Sequence, residues 1–257
     1  MTTKSKLDTA LKTLLKKLTK SVGVQTPHAQ WDDPIEEFIW SFLLWDSTTA
    51  KAENALKRIR AGVFDYNELR VSLPGEIVAL IGKRYPNAPE RAVRLRAALD
   101  DIFRKENAVS LACLNQLTKR EAKKALEAID AAPSFVTNRV LLLSLGGHAV
   151  PLDERLHRLL IDADVLEPDT SLDDASAQLG RHIKAANAAQ THLLLQAWSE
   201  ASVGAKPTKK TAPKKKTTAK KTTVQKTSPS RAATHTTRKK TTKKPAEKKQ
   251  SRAKAKK

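Results

Sequence analysis

The stretch from Leu126 to Leu160, LEAIDAAPSFVTNRVLLLSLGGHAVPLDERLHRLL, decides the fold. It holds two apolar helical segments separated by a short connection, and Gly146-Gly147 is typical of a helix C-terminus. An extended Val150-Pro151-Leu152 follows, after which Asp153 is placed to cap a third helix. The stretch therefore predicts two helices joined by a tight turn, then a third helix headed by a carboxylate.

The charge of the chain is divided unequally. Residues 206–257 contain 21 Lys or Arg against one Glu, so they contribute +20 of the net +21 and leave residues 1–205 near neutral. The same residues contain no Leu, Ile, Phe, Trp or Tyr, and a segment of that composition cannot bury a core. We therefore predict a folded domain over 1–205 and a disordered basic tail over 206–257.

Cysteine and histidine usage indicates no cofactor or metal. A single Cys113 excludes a disulfide framework, a four-thiolate iron–sulfur cluster and a cysteine zinc site. His148 and His157 have no second ligand at metal spacing, and we interpret both as surface or loop residues. No apolar run is long enough to span a membrane, and residues 1–20 lack a signal-peptide core. These features predict an intracellular protein with no membrane partner and no evident obligate protein partner.

Apolar periodicity and capping residues predict an all-α body of about ten helices. Starts are indicated by Asp33-Pro34, by Asp65, by the capping box from Thr118 to Glu121, and by Ser171. Residues 7–18 form an amphipathic helix with lysines opposite its leucines. We favour packing of this helix on the body over contact with DNA phosphates or a membrane surface.

The stretch 126–160 resembles the core of the helix-hairpin-helix DNA glycosylases, the superfamily of endonuclease III. The resemblance implies a two-lobed helical bundle that binds duplex DNA through a hairpin. The family signature Leu-Pro-Gly-Val-Gly-x-Lys-Thr-Ala falls without a gap on residues 129–137, and Asp153 then meets the catalytic Asp. By this resemblance the hairpin's DNA-binding positions are Ala131, Pro133, Ser134 and Thr137.

Departures from the signature limit the chemistry that the resemblance implies. Ala131 and Pro133 stand where the family has glycines, and Pro133 has no N–H to offer a phosphate, which predicts a weaker backbone nest. Phe135 replaces the lysine that forms a Schiff base, so an active protein would be at most a monofunctional glycosylase. Asp153 is either its catalytic carboxylate, held ionised by the helix dipole, or only a helix cap.

Two residues before the third predicted helix are candidates for base contact. Asp46 falls where the family has a Gln that fills the gap left by a flipped base, and a carboxylate is electrostatically poor there. Trp45 could stack on a base, although a core position is the more common use of a tryptophan.

The tail predicts salt-sensitive backbone contacts with a polyanion, since it has lysines but no aromatic residues for base stacking. Its candidate DNA-binding residues are Lys209, Lys210, Lys214, Lys215, Lys216, Lys220, Lys221, Lys239 and Lys240. Duplex DNA is the predicted partner, which implies an intracellular location on DNA, in a bacterial nucleoid or in a nucleus. Three functions remain open: a DNA-binding protein linked to base-excision repair, a non-enzymatic architectural protein of the nucleoid, and a helical RNA-binding factor.

Overall fold

The computed structural model describes residues 2–22 and 31–204. In these ranges the chain forms eleven α-helices and no strand. In chain order they are α1 Thr2–Val22, α2 Pro34–Leu44, α3 Thr49–Gly62, α4 Tyr66–Val71, α5 Pro74–Ile81, α6 Ala88–Glu106, α7 Lys119–Glu127, α8 Ser134–Leu143, α9 Glu154–Asp162, α10 Leu172–His182 and α11 Ala185–Ala201. The predicted all-α class is confirmed with one helix more than expected. The predictions for residues 206–257 lie outside the described residues.

Helix starts follow the predicted capping chemistry. The Asp33 carboxylate accepts the Ile35 N–H at 2.9 Å ahead of α2, and Asp65 accepts the Glu68 N–H at 2.9 Å ahead of α4. The capping box at Thr118 is present before α7. Each cap satisfies an N–H that has no partner within its own helix. The sequence predicts these helix starts because each capping hydrogen bond joins residues only two or three positions apart.

The helices enclose two hydrophobic cores, in agreement with the predicted two lobes. The first core is built by α2 to α8 around residues such as Phe38 and Phe42, and α2 is buried on nearly all sides. The second is built by α1, α9, α10 and α11. Helix α8 joins them, because Val140 belongs to the first core and Leu142 to the second.

The first helix packs on the body, as its periodicity predicts. Leu11 and Leu18 are buried in the second core, where α1 lies against α11. Because the leucines recur at helical spacing, one face of α1 is apolar. The exposed residues of the helix include Lys6, Lys12, Lys16, Lys17 and Lys20.

A buried polar network connects α2, α8 and α11. The Arg139 guanidinium donates to Glu37 Oε1 at 2.9 Å and to Gln196 Oε1 at 2.5 Å, and it lies 2.9 Å from His192 Nε2. Burial, and then the Arg139 charge, hold the pKa of His192 well below its ordinary value. The imidazole is therefore neutral, and its Nε2 accepts a hydrogen bond from Arg139. Between the two cores, the Arg139 guanidinium thus satisfies the buried oxygens of Glu37 and Gln196.

Candidate functional site

A buried arginine fixes the segment that joins α2 to α3. Arg91 on α6 has no exposed surface, and its guanidinium donates to the carbonyls of Phe42, Trp45 and Pro86. Burial lowers the pKa of Arg91 to about 10, which leaves it cationic at neutral pH. The end of α2 and the loop before α6 are thereby held together by one side chain.

A second arginine, Arg94, links the segment that joins α2 to α3 with the hairpin. The Arg94 guanidinium lies 4.9 Å from the centre of the Trp45 ring, and its Nε donates to the Ala131 carbonyl at 2.9 Å. Trp45 is only 9% exposed, as its interpretation as a core residue predicts. Base contact by Trp45 would require the 45–48 segment to move away from Arg91 and Arg94.

The hairpin turn keeps a left-handed residue without a glycine. Ala131 has φ 57°, in the region where a side chain costs about 1–2 kcal/mol. Pro133 then forms the N-cap of α8 and, having no N–H, offers no donor there. Of the four predicted hairpin contacts, Ser134 is exposed, whereas Thr137 is buried and donates to the Ser134 carbonyl at 3.2 Å.

Two carboxylates share the N-terminus of α9. Asp153 Oδ1 accepts the Leu156 N–H at 2.8 Å, which confirms the predicted cap. Its Oδ2 accepts the Asp46 N–H at 3.3 Å, and Asp46 Oδ1 in turn accepts the Arg155 N–H at 3.3 Å. Asp46 has φ 49°, which lets its N–H and its side chain both point at α9. Asp46 therefore lies against Asp153 and covers its Oδ2.

Burial controls the protonation of this pair. Removal from water raises the pKa of Asp153, although the Leu156 N–H and the Arg155 charge oppose the shift. Burial and repulsion from Asp153 raise the pKa of Asp46 to about 6. Loss of hydration therefore opposes the stabilisation of a negative charge by the helix N-terminus.

Arg155 ties the start of α9 to its surroundings. Its Nε donates to Ser199 Oγ at 2.6 Å, and its Nη2 donates to the Ser47 carbonyl at 2.6 Å. The same Nη2 lies 3.8 Å from Asp153 Oδ2. The guanidinium therefore links the start of α9 to α11 and to the 45–48 segment.

No protein-family model matches the sequence, and no curated protein matches it. Solved structures do match the fold. Endonuclease III in a trapped covalent intermediate with DNA has TM-score 0.56 and 15% identity, over 74% of this chain and 84% of that chain. The 8-oxoguanine glycosylase/lyase of Clostridium acetobutylicum, bound to double-stranded DNA, has TM-score 0.56 and 16% identity, over 77% and 70%. A thermostable thymine-DNA glycosylase has TM-score 0.54 and 16% identity, over 77% and 88%. The chain has the helix-hairpin-helix DNA glycosylase fold.

In this example of the glycosylase fold, the cavity beside Asp153 is small. The cavity there measures about 10 Å³, which is room for about one water molecule. Asp153 itself is only 3% exposed. The cavity is lined by Leu44, Phe135, Asp153, Arg155, Leu156, His192, Gln196 and Ser199. Phe135, at the position of the family's lysine, is buried with its ring 6.3 Å from that of His192.

The two histidines flagged in the sequence have different environments. His148 is exposed, as expected, with its Nε2 2.8 Å from the Gly180 carbonyl. The prediction of a surface or loop position for His157 is wrong, because it is buried within α9. His157 lies beside Leu156 and one turn before Leu160, both buried, so helical spacing could have placed it on the inner face.

Sequence reasoning missed the arginines that assemble the site. Arg91 precedes Leu95 and Leu99 at intervals of four, and this spacing places it on the buried face of α6. The predicted absence of a metal stays a prediction; across 2–22 and 31–204 no group of three His, Cys, Asp or Glu is placed to hold one. Within the same ranges, no helix has the length and apolarity to cross a bilayer.

Proposed function

We propose that the protein binds duplex DNA through its hairpin face and tail and does not excise bases. The small volume of the cavity beside Asp153 carries the proposal. An enzyme that acts on a base extrudes the nucleotide into a fitted pocket, and small-molecule pockets usually measure about 300–1,000 Å³. A cavity of about 10 Å³ accommodates no base.

The hydrogen bonds of Asp153 support the same conclusion. Its two oxygens accept N–H groups from Leu156 and Asp46, and burial raises its pKa. A carboxylate whose two oxygens already accept N–H groups, and which is covered by Asp46, is poorly suited to stabilise a sugar cation. Asp153 is then a structural cap that also anchors the α2–α3 segment.

Affinity for duplex DNA is supported by the fold and by charge. The similar solved structures include complexes of glycosylases with DNA. Residues 206–257 add a net charge of +20, which favours phosphate neutralisation with release of counterions. Because lysine contacts with phosphates do not read bases, the proposed binding is strong but insensitive to sequence. The resulting role is architectural, on the DNA of the cell.

A monofunctional glycosylase is the second candidate. It is favoured by Asp153 at the head of the helix that follows the hairpin, the position of the catalytic Asp in the family that the sequence resembles. Excision would require the 45–48 segment to withdraw and open the cavity when DNA binds. Since Phe135 replaces the lysine, the product would be an abasic site that breaks only in alkali.

One experiment separates the candidates. Wild type and Asp153→Asn are incubated with undamaged duplex and with duplexes that carry alkylated, deaminated and oxidised bases. Asn keeps an acceptor oxygen for the Leu156 cap but loses the second oxygen, which accepts the Asp46 N–H. Folding of the variant is therefore checked by circular dichroism, and its DNA binding by gel shift, before base release is compared. We expect salt-sensitive binding of all duplexes and no base release. Release by wild type that Asp153→Asn abolishes would establish the second candidate, and absence of DNA binding would refute both.

A further inference from the structure

Helix α1 presents an exposed lysine stripe. Lys16, Lys17 and Lys20 lie at spacings that place them on one side of the helix, and all three are exposed. Lys12 continues the stripe but is paired with Asp8 at 2.6 Å, so we leave it out. Asp8 is the one acidic residue between Thr2 and Val22. The stripe therefore carries three charges with no acid of α1 among them.

The apolar face of α1 is already occupied. Leu11 and Leu18 are buried in the second core, and Leu7, Leu14 and Leu15 pack against it. A helix that binds a membrane surface inserts an apolar face into the boundary of the lipid tails. Because α1 has no such face left, its lysines can bind a partner by charge alone, and this favours a polyanion over a bilayer.

The stripe is a surface separate from the hairpin. Ala122 of α7 and Ile129 beside the hairpin turn belong to the first core, whereas Leu11 and Leu18 of α1 belong to the second. The three lysines are exposed on the side of α1 opposite these leucines, and none of them lines the cavity beside Asp153.

We infer that the stripe Lys16, Lys17 and Lys20 binds a second segment of duplex DNA, so that one body bridges two segments. The inference rests on the proposed function, in which the first segment lies on the hairpin face. Three phosphate contacts would give the second contact a log-affinity versus log-salt slope of about −2.7. Doubling the salt would then weaken the second contact about sixfold.

The test compares three forms of the full chain: wild type, Lys16→Gln/Lys17→Gln/Lys20→Gln, and Lys16→Arg/Lys17→Arg/Lys20→Arg. Bridging is measured as capture of a labelled duplex by a duplex tethered to beads. Gln, Arg and Lys have similar helix propensities, so α1 should keep its helicity in all three. We expect the Gln variant to capture at least about fivefold less duplex, with its salt slope reduced by about 2.7. The Arg variant keeps the charge and should match wild type.

The other possible results distinguish failure of the bridging inference from failure of the proposed function. Equal capture by the Gln variant and wild type would refute the bridging role while the proposed function stands. If wild type binds neither duplex, the proposed function fails first. If the Gln variant keeps bridging but loses binding to phosphatidylserine vesicles, the partner of the stripe is a membrane and the inference is wrong.

Discussion

Replacing Ala131 with glycine should stabilise the protein. Ala131 holds φ 57° at the hairpin turn, where a non-glycine residue costs about 1–2 kcal/mol. Glycine removes that strain but has greater freedom in the unfolded chain, which costs about 0.4–1 kcal/mol. The difference between these ranges is a net gain of about 0–1.6 kcal/mol, with a midpoint of about 0.8 kcal/mol. For a body of this size, that raises Tm by about 1–4 °C.

A matched control lies three residues earlier in the same hairpin. Ala128 ends α7 with φ −86°, an unstrained conformation, so Ala128→Gly should only lose free energy, by about 0.5–1 kcal/mol. Both variants are compared with wild type by thermal and urea denaturation followed by circular dichroism. Opposite shifts are expected from the same chemical change. If Ala131→Gly destabilised the protein as much as Ala128→Gly does, the argument from left-handed strain would be refuted.

Three further predictions concern the buried network, the carboxylate pair and the tail. Arg139→Met should cost about 3–5 kcal/mol in urea denaturation, because it removes the cation from a buried ion pair with Glu37, and adding Glu37→Leu should recover much of the loss. The pKa of Asp46 is higher in the folded protein, at about 6, than in the unfolded chain. Its contribution to the free energy of unfolding is therefore fully present below about pH 4 and is lost as pH rises through about 6. Asp46→Asn should therefore gain stability relative to wild type across that window, as measured by urea denaturation at a series of pH values. Removal of residues 206–257 should weaken duplex binding and flatten its salt dependence, because each lost phosphate contact contributes about 0.9 to the slope. Helicity and a cooperative melt should persist. Unchanged affinity would assign the tail another role.

The sequence predicted the helices because the signals that define them are local. Leucine spacing and the caps at Asp33, Asp65 and Thr118 act over a few residues and need no knowledge of the tertiary fold. The position of Asp153 at the head of α9 followed from the same reasoning. The predicted domain boundary at 205/206 and the roles of the site residues stay predictions.

The closure of the site could not be predicted in this way. Asp46 and Asp153 are 107 residues apart in sequence, and Arg139 and His192 are 53 apart, so nothing local indicates that they meet. The identity of a polar residue in a helix does not by itself indicate whether its side chain is buried or exposed. The spacing of its apolar neighbours gives that information, as it does for Arg91 and His157.

The turn at Ala131 bears on how distant relatives of such a chain can be recognised. Patterns for this hairpin depend on glycines, yet here the turn is held by the bond from Arg94 to the Ala131 carbonyl, 37 residues apart in sequence. Glycine is the least strained residue at the turn, and a tertiary anchor can substitute for it. A search keyed to an arginine on α6 and a non-glycine left-handed residue after α7 would find chains that a glycine motif passes over.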